Sequence, residues 1–166
     1  MPDRPPFDPY ALLAALDRRR VAYVVIGAFA RVVRGAEELP DWLDIVPSLR
    51  PQNFERLEEA LADLKAVGVD GARVRLDESH DALIRATCPA GELRIVPEPE
   101  GTRGYDDLRR AATREPLGRG LRPSVASTGD LARMLAALGR DEDRPRLQAL
   151  RRVAELERGV GPELTL

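Results

Sequence analysis

The chain has 166 residues, of which 43% are hydrophobic and 33% charged; this suits one globular domain, or one with a helical appendage, and excludes an intrinsically disordered chain. Its net charge of −2 excludes a broad electrostatic footprint for nucleic acid, although the arginines are unevenly spread and leave room for a local basic patch. Cys88 is the only cysteine and His80 the only histidine, which excludes an internal disulfide, a thiolate metal cluster and a His-rich zinc site.

The opening residues, MPDRPPFDPY, are proline-rich and polar and read as a flexible arm over 1–8. They lack the apolar core of a signal peptide, and no later run approaches a membrane span, so a cytoplasmic protein with no membrane partner is expected. From Pro9, Tyr10, Leu12, Leu13 and Leu16 recur at helical spacing. Val21 to Ile26 is a continuous apolar, β-branched run ending at Gly27, the pattern of a strand buried on both faces. AFARVVRG returns to helical spacing and stops at Gly35. WLDIV is a second short strand, closed by Pro47.

Pro51 then opens the clearest helix, with Phe54, Leu57, Leu61 and Leu64 on one face and Gly68 as its expected end. Three weaker strands are expected at 72–76, 81–87 and 92–97; in the last, Leu93 and Ile95 alternate with Glu92, Arg94 and Val96. After the turn-rich PEPEGTRG, YDDLRRAA is either a helical turn or the lead-in to a strand. LRPSVAS holds a short strand. Ser127 or Thr128 caps a helix through Leu138, and a last helix spans 141–158 before a tail at 159–166. The expected organisation is a mixed sheet flanked by helices over 9–126, with C-terminal helices at 127–158 packed on it.

The stretch YVVIGAFARVVRGAEELPDWLDIVPSLRPQNFERLEEALADL resembles the minimal nucleotidyltransferases of the MNT and AbiEii-like group, found in bacteria. GELRIVPEPEGTRGYDDLRRAA is similar to that family's third-carboxylate strand and the connection beyond it, and VASTGDLARMLAALGRDEDRPRLQAL to its C-terminal helices. The resemblance spans most of residues 10–155 and implies a nucleotidyltransferase-like α/β fold. It also implies transfer of a nucleoside monophosphate from an NTP, with two Mg²⁺ ions held by two carboxylates on one strand face and a third from a neighbouring strand. A glycine-rich turn after the first strand, here Gly27 and Ala28, would approach the triphosphate.

Several matching positions depart from the family pattern. Asp44 fits the second metal-binding aspartate, but Trp42 stands at the first and Arg94 at the third, and Leu135 replaces a lysine. Asp41 and Glu92 are the nearest substitutes; regular pleating would aim Asp41 away from Trp42 and Asp44. Arg140 and Asp143 keep the pattern of the C-terminal helices. One carboxylate does not hold two Mg²⁺ ions, so the resemblance implies a degenerate site with no cofactor, or Mg²⁺ and NTP if it is active. Arg94 is expected to pair with Asp44, and Trp42 to fill the vacated space as core. Gly27 is expected to serve the tight strand-to-helix turn, His80 to sit in a surface turn and Cys88 to be an inert thiol.

Three functions follow from these expectations. The first is a non-catalytic protein that binds a nucleotide, RNA or a partner protein. The second is an active enzyme with a rewired site built on Asp44 with Asp41 or Glu92. The third is a toxin–antitoxin component that acts through an interface with a partner protein encoded nearby.

Overall fold

The computed structural model describes residues 6–76 and 82–159. Helix α1 spans Pro9–Arg18, strand β1 Tyr23–Ile26, α2 Gly27–Val33, β2 Trp42–Pro47 and α3 Pro51–Asp63. They are followed by β3 (Ile84–Cys88), β4 (Gly91–Ile95), α4 (Tyr105–Leu108), β5 (Thr113–Arg114), β6 (Ser124–Val125) and α5 (Thr128–Leu138). A 3₁₀ turn at Asp141–Asp143 leads into α6, Arg144–Gly159.

The strands form one six-stranded mixed sheet in the order β3-β4-β2-β1-β6-β5. β1 runs antiparallel to β2 and parallel to β6, while β2 runs parallel to β4. All four residues of β1 are buried, as its unbroken apolar run requires of a strand with neighbours on both sides. Leu43, Ile45, Leu93, Ile95 and Ala86 share one face of the sheet and join the core, where α1 contacts β2, β4 and α3. The other face carries Trp42, Asp44, Glu92 and Arg94, because side chains alternate along a strand.

Local chemistry explains most boundaries. Asp8 caps α1, accepting from the Ala11 N–H at 3.1 Å, and Phe7 packs edge-on against Phe29; both lie at the end of the expected flexible arm. Ser127, rather than Thr128, caps α5 by accepting from the Asp130 N–H, and Gly139 ends it in the left-handed region. Helix α3 stops before the expected Gly68. Lys65 takes a positive φ of 58°, and the Ala66 N–H turns back to the Leu61 carbonyl, so the chain leaves the helix at the lone lysine.

The strand expected at 72–76 is absent: Arg73 makes one isolated bridge to Val67, which itself bridges Thr87 at the β3 edge of the sheet. The expected strand at 81–87 begins at Ile84, and its first residue, like His80, falls outside the described residues. YDDLRRAA takes the first of its two expected forms as α4, and β5, a strand the sequence did not signal, comes between it and the expected strand of LRPSVAS. The last helix is split, its first three residues tightening into the 3₁₀ turn.

Two polar fixtures hold the connections. Arg34, at the C-terminal end of α2, donates to the Val125 and Ala126 carbonyls at 2.9 and 3.0 Å and pairs with Glu115 at 2.7 Å, tying the β5–β6 edge to the helix. Asn53, 5% exposed, accepts from the Ala22 N–H at 2.7 Å and donates to the Ala22 and Ser48 carbonyls, each at 2.9 Å. Replacing Asn53 with alanine leaves the Ala22 N–H and the Ser48 carbonyl without this partner, while the Ala22 carbonyl keeps the Ser48 N–H, and a urea titration should read a loss of about 3 kcal/mol.

Candidate functional site

One cleft of about 900 Å³ opens over the polar face of the sheet. Its floor is Ile26, Gly27, Trp42, Asp44 and Arg94, and α5 supplies an apolar wall through Leu131, Met134, Leu135 and Leu138. Antiparallel pairing of β1 with β2 sets Ile26 opposite Asp44, which brings the Asp44 carboxylate against the start of α2. Gly27 has a φ of 74°, and a Cβ built on it would lie 2.2 Å from Asp44 Oδ2. Glycine is therefore required here twice over, by its backbone conformation and by the space the carboxylate occupies.

Asp44 is largely buried, and its pKa is pushed up to about 6. Burial is the main cause; a hydrogen bond from Trp42 Nε1 to Oδ2 at 3.0 Å and the charges of Arg94 and Arg31 act against it. The expected Asp44–Arg94 ion pair is not formed. Arg94 instead pairs with Glu92, its neighbour two positions back on β4, and lays its guanidinium over the Trp42 ring, 3.4 Å from the centroid. Parallel register explains this choice: Trp42 pairs with Glu92 and Asp44 with Arg94, so an arginine that turns back along β4 lies beside the indole.

Trp42 is likewise not core. It is half-buried, stands apart from the hydrophobic cluster, and spends its ring on Arg94 and its N–H on Asp44. Glu92 also receives Arg85 from β3 at 3.4 Å. Burial works to raise its pKa, but the hydrogen bonds and charges of Arg94 and Arg85 prevail and hold it below the usual carboxylate range. Glu92 does not line the cleft, whereas Asp41 does. Asp41 immediately precedes the first paired residue of β2. Ala28 and Leu135 both line the cleft, Leu135 being buried at 5% exposure. Cys88 is buried on the opposite sheet face, and burial pushes its thiol pKa up, as for an inert cysteine.

The sequence reading missed an arginine–carboxylate network on the far side. Arg31, 9% exposed, holds Glu38 through two hydrogen bonds at 2.7 and 2.9 Å, and Arg146 of α6 reaches the same carboxylate at 3.5 Å. Arg146 also pairs with Asp143 at 2.8 Å, as does Arg140 at 2.6 Å. The available signals were spacing alone: Arg31 lies one helical turn after Gly27, and Asp143 has an arginine three residues away on each side.

The floor does not fit a divalent metal pair. Hard cations need several oxygen ligands, and Asp44 shares the floor with an indole donor and a guanidinium, neither of which supplies one. Among the described residues, no group of three or more His, Cys, Asp or Glu side chains is placed to hold a metal ion, and no buried side-chain oxygen or nitrogen lacks a hydrogen-bond partner.

No protein-family model matches this chain, and no curated protein sequence matches it. Solved structures do. The solution structure of the antibiotic-resistance factor ANT(2″)-Ia superposes with a TM-score of 0.58 at 16% identity, covering 89% of this chain and 80% of that one. A Thermotoga maritima protein of proposed nucleotidyltransferase activity gives 0.58 at 17% identity, covering 84% of this chain and 88% of its own. ANT(2″)-Ia in complex with adenylyl-2″-tobramycin gives 0.57 at 15% identity, covering 89% and 86%. The chain therefore has a nucleotidyltransferase-like fold.

Two outcomes are expected at this site. The Asp44 pKa of about 6 exceeds the model-compound value of 3.8, so Asp44 favours folding fully below pH 4 and loses that contribution as pH rises through 6. Asp44→Asn should match the parent near pH 4 and be more stable at pH 8 by at most about 3 kcal/mol, read from denaturation curves at each pH. Gly27→Ala should destabilise by about 2 kcal/mol or more, and Asp44→Ala should recover part of that loss in a double-mutant cycle, because it removes the atoms the new methyl group meets.

Proposed function

We propose that this protein is a nucleotidyltransferase-like binding protein with a degenerate active site, which acts by holding a partner rather than by two-metal nucleotidyl transfer. One observation carries the reading: Arg94, at the position that matches the third metal-binding aspartate, is paired with Glu92 and stacked on Trp42, at the position that matches the first. A guanidinium fixed between those two side chains brings positive charge to the place where transfer would need cation ligands.

Among its possible partners, a protein is favoured over RNA or a nucleotide. Carboxylates lining the cleft outnumber guanidinium groups seven to four, so phosphate groups would meet net repulsion without bound cations. A partner protein encoded nearby, as in toxin–antitoxin pairs of the resembled family, is consistent with that charge.

A second reading has its own support. Asp44 and Asp41 line the same cleft, and Asp44 titrates near the range in which a general base works. This rewired enzyme would use Mg²⁺ and NTP.

The test is transfer of labelled NTPs to tRNA or protein in the presence of Mg²⁺, with calorimetry for NTP binding. Because Trp42 is the only tryptophan, its fluorescence also reports entry of any ligand into the cleft. The expected result is no Mg²⁺-dependent transfer. Turnover that disappears in both Asp44→Ala and Asp41→Ala would establish the rewired enzyme instead.

A further inference from the structure

We propose that the mouth of the cleft is a docking surface for a basic amphipathic segment of a partner protein, a proposal that rests on the binding-protein reading above. Large apolar side chains lie bare at the rim: Leu39 is 94% exposed, Leu83 49% and Leu138 43%. They come from separate parts of the chain, the loop before β2, the lead-in to β3 and the last turn of α5, yet all border the same opening. Exposed leucines scattered singly need no explanation, but leucines gathered around one concavity mark a contact surface.

The position of these side chains selects the size of the occupant. A small ligand seated on Trp42 and Asp44 would leave the rim leucines in water, whereas a segment lying across the mouth would cover them. Continuity with the apolar wall of Met134 and Leu135 lets such a segment send one or two apolar side chains inward.

Charge selects its chemistry. Glu37, Glu98 and Glu100 border the same opening and form no ion pair among the described residues. These rim carboxylates would repel a phosphodiester backbone or an anionic lipid surface, and would attract lysine and arginine side chains. A segment with leucine-type residues on one face and basic residues beside them satisfies both halves of the rim.

The probe is a fluorescein-labelled lysine–leucine peptide with helical spacing, titrated against the full chain by fluorescence anisotropy. A glutamate–leucine peptide of the same length and leucine spacing and a single-stranded RNA serve as comparisons. The lysine peptide should bind, weaken as salt is raised, and lose about tenfold or more in affinity both in Leu39→Asp/Leu138→Asp and in Glu98→Lys/Glu100→Lys. All four positions are at the surface, and circular dichroism checks that the variants fold. Glu55→Lys, an exposed charge reversal on α3 away from the cleft, should leave affinity unchanged.

Equal binding by the rim variants, an equal loss in Glu55→Lys, or tighter binding of the RNA or the acidic peptide would overturn the proposal. These outcomes are independent of the transfer assay. Mg²⁺-dependent turnover sinks the binding-protein reading whatever the peptide does, and indifference of the peptide to the rim sinks the docking surface whatever the transfer assay returns.

Discussion

The meeting of Asp44 with Gly27 organises the polar face of this sheet. β1 and β2 pair so that Ile26 faces Asp44, and the chain turns from β1 into α2 at the next residue. The carboxylate thus comes within a distance that only a residue without a side chain accepts. Burying a carboxylate costs free energy unless donors and positive charge compensate. Here the indole of Trp42, Arg94 on the adjacent strand and Arg31 one turn into α2 offset part of that cost, leaving a carboxyl group that binds its proton more tightly than in water. Buried ionisable groups held at a net cost in a cleft are often kept for function rather than for folding.

Around this point the two faces of the sheet are built from different chemistry. Leu43, Ile45, Leu93 and Ile95 make the core face of β2 and β4 fully apolar, while the alternate positions, Trp42, Asp44, Glu92 and Arg94, carry the indole, carboxylate and guanidinium groups. Pleating makes the two faces independent: residues on one can be exchanged without altering the packing of the other. Arg94 in particular is neutralised within its own strand by Glu92 and supported by an aromatic face, so it requires nothing from Asp44. The same fold therefore persists with a site whose chemistry differs from that of a carboxylate cluster.

The walls of the cleft are fixed by longer-range pairing. Glu38 is held between Arg31 of α2 and Arg146 of α6, and Asp143 between Arg140 and Arg146, so the loop before β2 and the C-terminal helices are joined by shared carboxylates. Asp143 is almost wholly buried, and although burial opposes it, hydrogen bonds from Arg140 and Arg146 hold its pKa below the usual range. Helix α5 lies across from the floor, its leucines and methionine lining the cleft together with Leu39 and Leu83.

The sequence alone was enough for the elements whose signal is local. The apolar run of β1, the spacing of Leu57 and Leu61 in α3 and the cap of α5 each arise from neighbours a few residues apart. The alternation of β2 likewise sets Trp42 and Asp44 on one face of that strand, and the alternation of β4 sets Glu92 and Arg94 on one face of its own. What those side chains do to one another was not legible, because partner choice depends on rotamers and distances across strands. Arg94 turns to Glu92 rather than Asp44, and Trp42 stays half-buried as a donor rather than becoming core. The end of α3 at Lys65 and the failure of 72–76 to form a strand belong to the same class, since each was decided by hydrogen bonds the chain makes after folding. Periodicity determined which residues share a surface; only the tertiary structure decided which of them touch, and that is where the chemistry of this cleft resides.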